Sequence, residues 1–223
     1  RSLSIERVIA EVTKGLESEN PDIMIYYLCE SGALNEIFPG LYLPLDSTSL
    51  IEQQSNNFVS LGKAIKENSK SLTSESKIIM LLIAPYFFRE SRSIKTNEEQ
   101  AHLLKHLKLS STNHKILKIL MNEELNITNF LSLRAEEKLD CLYRTDFYRR
   151  PNIIFEVLNI ILVFKTTFHH MDLKYFKDIK IFLVLFSDEI SQLKSEIDPS
   201  SSGEDIKKLI YQERLTLLKK ISN

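Results

Sequence analysis

Residues 4–40 read SIERVIAEVTKGLESENPDIMIYYLCESGALNEIFPG, and this stretch decides the fold. Ser4 is a residue type that favours the N-cap of a helix, and an apolar stripe at helical spacing follows it. Asn20-Pro21 predicts the start of a second helix, because asparagine favours the cap and proline the first turn. Gly32 suits the left-handed residue that ends a helix. We therefore predict two consecutive helices that end in a turn.

Each of these two helices carries a predicted buried stripe. In the first helix the stripe consists of Ile5, Val8, Ile9, Val12 and Leu16. In the second helix it consists of Ile23, Met24, Tyr27 and Leu28.

The rest of the chain continues the helical pattern. Among 223 residues there are only 5 Gly and 6 Pro, too few for the many turns of a sandwich or barrel. No stretch alternates at a period of two, so we predict an all-α fold. Further helices are predicted at 47–68, 77–89, 98–107, 113–123, 127–133, 135–147, 152–168 and 172–197, with one or two at the end. Ser74 is expected to cap the 77–89 helix, Pro85 to kink or end it, and the 172–197 helix to be the longest.

The cysteines and the apolar runs indicate an intracellular protein without a membrane span. Cys29 and Cys141 lie inside apolar helical patterns, which predicts buried free thiols. The longest apolar runs, 78–88 and 179–186, are shorter than the roughly 18 residues that cross a bilayer. The chain opens without a signal peptide. The compartment, whether cytoplasm, nucleus or organelle, stays open.

No catalytic or metal-binding constellation is visible in this chain. It lacks GxSxG, P-loop and GxGxxG patterns and Asp-x-Asp metal pairs. His102 and His106 share a helix face at i and i+4, but no cysteine or carboxylate completes a ligand set. The adjacent pair His169-His170 points in directions about 100° apart, which is poor for chelation. We predict neither catalytic residues nor a metal site.

Basic clusters are the remaining chemical feature, in a chain whose formal net charge is −1. Cations that lie among hydroxyls and aromatic rings can hold phosphates and stack on bases, while a solvated surface explains each cluster equally well by itself. The cluster around Arg149 and Arg150 also includes Arg144 and is accompanied by Tyr143, Phe147 and Tyr148. The cluster near the C-terminal end, around Lys207 and Lys208, also includes Arg214. The candidate RNA-binding residues are Arg89, Arg92, Lys95, Arg149, Arg150, Lys207, Lys208, Lys219 and Lys220.

The opening stretch also resembles the neck of class II tRNA nucleotidyltransferases, the CCA-adding enzymes. The resemblance is carried by Ser4-x-Glu6-Arg7-Val8-x-x-Glu11, Asn20-Pro21, Ser31-Gly32-Ala33-Leu34 and Phe38-Pro39-Gly40-Leu41. Weaker matches follow in the family's order at 79–85, Leu107-Lys108-Leu109-Ser110, Arg149-Arg150-Pro151 and Gly203-Glu204-Asp205-Ile206. They extend the resemblance over most of the chain.

This resemblance implies an elongated multi-helix array with a neck-like segment at 1–45, a helical body at 46–148 and a helical tail at 149–223. In that family the body and tail grip tRNA through its backbone, so tRNA is the expected partner, with neither DNA nor membrane. Arg7 and Glu11 would be the neck-motif pair that steadies the active site. Without the resemblance, the same two residues predict an ordinary ion pair on a helix surface.

The family's catalytic motifs, Asp-x-Asp, Arg-Arg-Asp and Glu-Asp-x-x-Arg, are missing from this sequence. We therefore expect a fragment whose chemistry, with Mg²⁺, CTP and ATP, belongs to an N-terminal catalytic head upstream. The fragment alone is expected to add no nucleotides. Two alternatives stay open: the same part of a poly(A) polymerase, and a helical protein-interaction scaffold that binds no RNA.

Overall fold

A computed structural model describes residues 4–38, 48–88, 109–193 and 202–222, with backbone only for 48–51. The described residues form ten α-helices and one 3₁₀ helix, with no β-strand among them. The prediction of an all-α, multi-helix array is therefore confirmed. The predicted linker at 41–46, the basic segment that contains Arg89, Arg92 and Lys95, and the 98–107 helix with its two histidines lie outside the described residues.

The helices are named here in chain order. Their bounds are α1 Ile5–Glu17, α2 Pro21–Glu30, α3 Ala33–Ile37, α4 Thr48–Glu67, α5 Ser74–Phe88, α6 Ser111–Thr128, η1 Phe130–Ser132, α7 Ala135–Arg144, α8 Pro151–Phe168, α9 Leu173–Gln192 and α10 Gly203–Ser222.

The starts and ends of the helices in the opening stretch are mostly as predicted. Ser4 Oγ accepts a hydrogen bond from the Arg7 amide at 3.4 Å at the start of α1. Gly32 has a φ of 71°, the left-handed conformation that glycine adopts at little cost. Asn20 precedes α2, but its side chain accepts from Lys66 Nζ at 2.9 Å and so ties α2 to α4 instead of capping α2.

The predicted buried face of α2 is partly wrong. Ile23 is 51% exposed and Tyr27 is 65% exposed, while Ile25 is fully buried. Nearly every residue of this helix is apolar, so the hydrophobic pattern does not select one face. The packing of α2 against α4 selects it instead.

Helix α5 is the central buried helix that the sequence predicts, and its residues 78–84 are buried without exception. Two details differ from the prediction. Thr73, not Ser74, caps it, since Thr73 Oγ1 accepts from the Ser76 amide at 3.1 Å. The helix also continues through Pro85 to Phe88, because burial on all sides holds the segment helical although proline removes one backbone bond.

Several predicted boundaries move by a few residues. Helix α6 continues to Thr128, so the predicted 127–133 helix is reduced to a 3₁₀ turn. Helix α7 ends at Arg144 because Asp146 adopts a left-handed φ of 58°. Helix α9 ends at Gln192, and with 20 residues it equals α4 and α10 and is not the longest. The last segment forms a single helix.

One continuous apolar core runs from Val12 in α1 to Leu218 in α10, and Cys141 lies buried within it as a free thiol. Burial raises the pKa of that thiol to about 12. The predicted neck, body and tail segments all contribute side chains to this core, and their boundaries stay a prediction.

By length and composition alone, one described helix could cross a membrane. This helix is α8, with a mean hydropathy of 1.4 over 18 residues. A core helix passes the same test, and α8 packs against α4, α5, α6 and α9. Within it, Lys165 is buried and pairs with Glu124 Oε1 at 2.6 Å.

Candidate nucleic-acid interface

An open groove of about 650 Å³ runs along the outer face of α6. Its lining residues recur every three or four positions on that helix and are joined by one arginine from α7. They are His114, Lys115, Lys118, Ile119, Asn122, Glu123 and Arg144. Because i, i+4 and i+8 positions share one side of a helix, His114, Lys118 and Asn122 form a polar row, with Lys115, Ile119 and Glu123 in the row beside it. With Arg144 the groove holds three cations.

The arginine of this groove is held in a fixed geometry. Arg144 Nε and Nη2 donate to the two carboxylate oxygens of Glu123, at 2.5 and 3.0 Å. The Glu123 carboxylate is almost fully buried, whereas the Arg144 side chain stays half exposed. The hydrogen bonds to Glu123 raise the pKa of Arg144. One edge of a permanently charged guanidinium is thus anchored and the rest faces solvent.

The turn after α7 adds two more cations beside the groove. Lys115 of α6 forms an ion pair with Asp146, the residue with the left-handed φ. The backbone amides of Arg149 and Arg150 donate to the Asp146 carbonyl, at 3.2 and 3.0 Å. The hydrogen bond from Lys115 lowers the pKa of Asp146, and the charges of both arginines add to that effect. The two arginine side chains are exposed, and neither forms an ion pair with another described residue.

Aromatic rings lie at the same turn. Arg214 of α10 places its guanidinium 3.7 Å from the Tyr148 ring centre and 5.5 Å from that of Tyr143. Its Nη1 also donates to the Tyr143 hydroxyl at 3.0 Å. Tyr211 stacks on Tyr143 at 6.0 Å, and Tyr143 remains 40% exposed. A half-exposed aromatic cluster, held by Arg214, therefore lies at the turn that follows Arg144 of the groove.

The structure brings part of the predicted set together. Arg149 and Arg150 lie at the groove with Arg144, and Arg214 joins them from α10. Lys207 and Lys208 are exposed on α10, with Lys207 two turns before Arg214 on the same helix face. Lys219 and Lys220 are exposed too, but Lys219 pairs with Glu136 at 2.8 Å.

The neck-motif residues show a different pairing from the expected one. Glu11 accepts from Lys14 Nζ at 3.0 Å, so the surface ion pair spans three residues and leaves Arg7 out. Both partners are well exposed, which makes the pair worth little to stability. Whether Arg7 and Glu11 act in catalysis stays a prediction.

None of the residues that line the groove was among the candidate RNA-binding residues. Arg144 was noted only as a neighbour of the Arg149 cluster, and the basic residues His114, Lys115 and Lys118 were not noted. The signal was present, since 114 and 118 are four apart and the apolar residues of α6 alternate with them. These basic residues are hard to recognise in the sequence because they alternate with apolar positions and do not form a consecutive basic cluster. Among the described residues, no group of three His, Cys, Asp or Glu side chains could hold a metal ion.

Comparison with known proteins gives one match. Residues 1–43 match the family model described as the probable RNA and SrmB-binding site of polymerase A. No curated protein and no solved structure is significantly similar to the chain. The match supports, at a coarse level, a relationship to poly(A) polymerases and CCA-adding enzymes, and it indicates RNA as a partner.

Proposed function

We propose that this chain is the tRNA-binding, C-terminal helical part of a tRNA nucleotidyltransferase that adds CCA to the tRNA 3′ end. The observation that carries the proposal is the match of residues 1–43 to an RNA-binding family of polymerase A. The motifs that resemble the CCA-adding neck lie in the same segment. Nucleotide transfer, with Mg²⁺, CTP and ATP, belongs to a catalytic head outside this sequence.

The groove on α6 supplies a surface suited to an RNA backbone. Lys115, Lys118 and Arg144 line it and Arg149 and Arg150 lie beside it, opposed by the carboxylates of Glu123 and Asp146. Such a local excess of positive charge attracts phosphates although the whole chain is nearly neutral. The exposed ring of Tyr143 gives an unpaired base a place to stack. RNA would be recognised there by shape and charge.

A binding titration of the natural chain and two variants tests this surface. Fluorescence anisotropy with a labelled tRNA is measured at two salt concentrations for the natural chain and for Lys118→Ala/Arg149→Ala/Arg150→Ala. We expect the variant to bind at least about tenfold more weakly and with a shallower salt dependence, because each lost phosphate contact lowers the slope by about 0.7–0.9. The matched control, Lys63→Ala/Lys70→Ala/Lys174→Ala, removes three exposed lysines outside both the groove and the matched segment and should bind like the natural chain.

The choice of RNA separates the alternatives. Preference for tRNA over a single-stranded RNA of equal length supports the proposal of a CCA-adding enzyme. Preference for oligo(A) indicates a poly(A) polymerase. If the groove variant and the control bind equally well, the groove is not the interface. Negligible binding of every RNA would contradict the proposal.

The protein-scaffold alternative has one observation in its favour. The matched family's description names a protein partner, SrmB, besides RNA. On α2, within the matched segment, Ile23, Tyr26 and Tyr27 are exposed on one side. If the chain is such a scaffold, Ile23→Ser/Tyr27→Ser should abolish capture of a protein partner, and Arg149→Ala/Arg150→Ala should leave that capture intact.

A further inference from the structure

Helix α9 is apolar on two opposite sides. Its inner side buries Phe176, Ile179, Leu183 and Phe186 in the core. On its outer side Ile181, Val184 and Leu185 are 57%, 47% and 52% exposed. These three residues are neighbours on the helix surface, at i, i+3 and i+4. A patch of this kind on the convex side of a helix suits a second protein surface.

Charges of opposite sign flank this patch. Lys174 and Lys177 lie in the turns before it, and Asp188 and Glu189 lie in the turn after it. All four are exposed, and none forms an ion pair with another residue in the part of the chain that the structure describes. Half-buried Asp178 also lies on this side, next to Lys174. In line with Ile181 and Val184, however, Lys177 precedes the patch and Asp188 follows it, so a positive and a negative side chain flank it along the helix.

In an antiparallel pair of these helices, the positive residue of each copy faces the negative residue of the other copy. In a heptad register, 174, 181 and 188 occupy a positions, and 177, 184 and 191 occupy d positions. Antiparallel coiled coils pair a residues of one helix with d residues of the other. That pairing places Ile181 opposite Val184 of the second copy, and Asp188 opposite Lys177 of the second copy. In a parallel pair, like charges would face each other instead, Lys177 against Lys177 and Asp188 against Asp188.

We infer that the outer face of α9 is the interface of a symmetric, antiparallel homodimer, with a second copy of this chain as the occupant. The paired segment, 174–191, is about 26 Å long at 1.5 Å per residue. One helix pair of that length buries less surface than a typical permanent dimer, so association is concentration-dependent. The two-fold axis passes between Ile181 and Val184, and two Lys177–Asp188 ion pairs flank it.

Sedimentation equilibrium of the full chain over a hundredfold concentration range tests the interface. The natural chain should show a monomer–dimer equilibrium. Val184→Glu should raise the dimer dissociation constant at least about tenfold, because each new carboxylate is buried against Ile181 of the other copy without a partner of opposite charge. The control Leu125→Glu places the same charge at an exposed leucine of α6 and should leave the constant unchanged. Circular dichroism checks that each variant is folded.

Charge reversal tests the antiparallel register. Lys177→Glu and Asp188→Lys should each weaken the dimer, since either change makes both symmetry-related pairs like-charged. The double variant Lys177→Glu/Asp188→Lys should recover most of the natural affinity. A chain that is monomeric throughout the range overturns the inference, as does a dimer unaffected by Val184→Glu. A double variant no stronger than the single ones overturns the antiparallel arrangement.

Discussion

At the scale of single residues, the most consequential contact is the buried pair of Lys165 and Glu124. Lys165 is 2% exposed, and its ammonium lies 2.6 Å from Glu124 Oε1 and 5.6 Å from the Phe87 ring centre. The Thr128 hydroxyl donates to the same carboxylate oxygen at 3.1 Å. A buried charge that keeps its partner is tolerable, whereas one that loses it is costly. The carboxylate of Glu124 is thus needed mainly because it compensates the buried charge of Lys165.

We therefore expect Glu124→Gln to lower the free energy of unfolding by about 3 kcal/mol, because it leaves an uncompensated ammonium in the core. Adding Lys165→Met should restore most of that loss, since methionine is apolar and of similar length. Urea denaturation of the single and double variants measures both steps. Glu137→Gln, which removes a carboxylate paired with the exposed Arg134, is the control and should change stability little. A double variant as unstable as Glu124→Gln would show that the cost does not arise from Lys165.

At the scale of elements, the contact between α2 and α4 depends on one glycine. A Cβ at Gly62 would lie 2.5 Å from the Cα of Asp22 and 2.9 Å from its backbone nitrogen. These are backbone atoms at the start of α2, so no side chain can rotate away. The absence of a side chain at Gly62 lets the two helices approach, and the Asn20–Lys66 hydrogen bond closes the same contact.

Gly62→Ala should accordingly destabilise the protein by about 1–3 kcal/mol through overpacking. The usual effect of this change inside a helix is a gain of about 1 kcal/mol, so the sign of the result is diagnostic. Gly203→Ala, at the start of α10 with nothing within 4 Å of the new methyl group, is the control and should be neutral or stabilising. Thermal unfolding followed by circular dichroism gives both values. A gain in stability for Gly62→Ala would disprove the close packing.

Helix boundaries set by local chemistry were predictable, and faces set by tertiary contacts were not. Ser4, Gly32 and the Arg150-Pro151 break act on their own backbone, and the sequence places all three correctly. In α2 the apolar residues surround the helix, so only its contact with α4 shows that Ile25 is the buried residue. The early end of α7 depends on Asp146 in a left-handed conformation, which the sequence does not require of an aspartate.

The candidate interface could be predicted only in part for the same reason. Arg149 and Arg150 are adjacent in sequence and precede a proline, which makes them visible as a cluster. Lys115 and Arg214 reach the same turn from α6 and α10, and no local pattern indicates that they will meet there. Nucleic-acid surfaces assembled from separate helices therefore require the tertiary structure.

At the scale of the whole molecule, helices from all three predicted segments share one core. Leu16 of α1 and Leu218 of α10 are almost fully buried members of the same continuous cluster, although 202 positions separate them. Helices α5 and α8 lie between the ends of the chain and contact each other. The three predicted segments are thus joined through one apolar core, which has a consequence for unfolding.

We expect the described helices to unfold in one cooperative transition, because a core shared by all segments links their stabilities. Leu16→Ala and Leu218→Ala each remove a buried side chain at opposite ends of the chain and should each cost about 2–5 kcal/mol. Both should lower the same midpoint, measured by circular dichroism and by calorimetry. A variant that splits the transition in two, with only one step shifted, would show instead that the neck or the tail unfolds on its own.

The solvent-exposed change Leu209→Ala on α10 is the control, and it should leave the midpoint nearly unmoved since Leu209 is 39% exposed. The proposed RNA surface combines α6, the turn after α7, and α10, so one transition would mean that the proposed RNA affinity and the core are lost together.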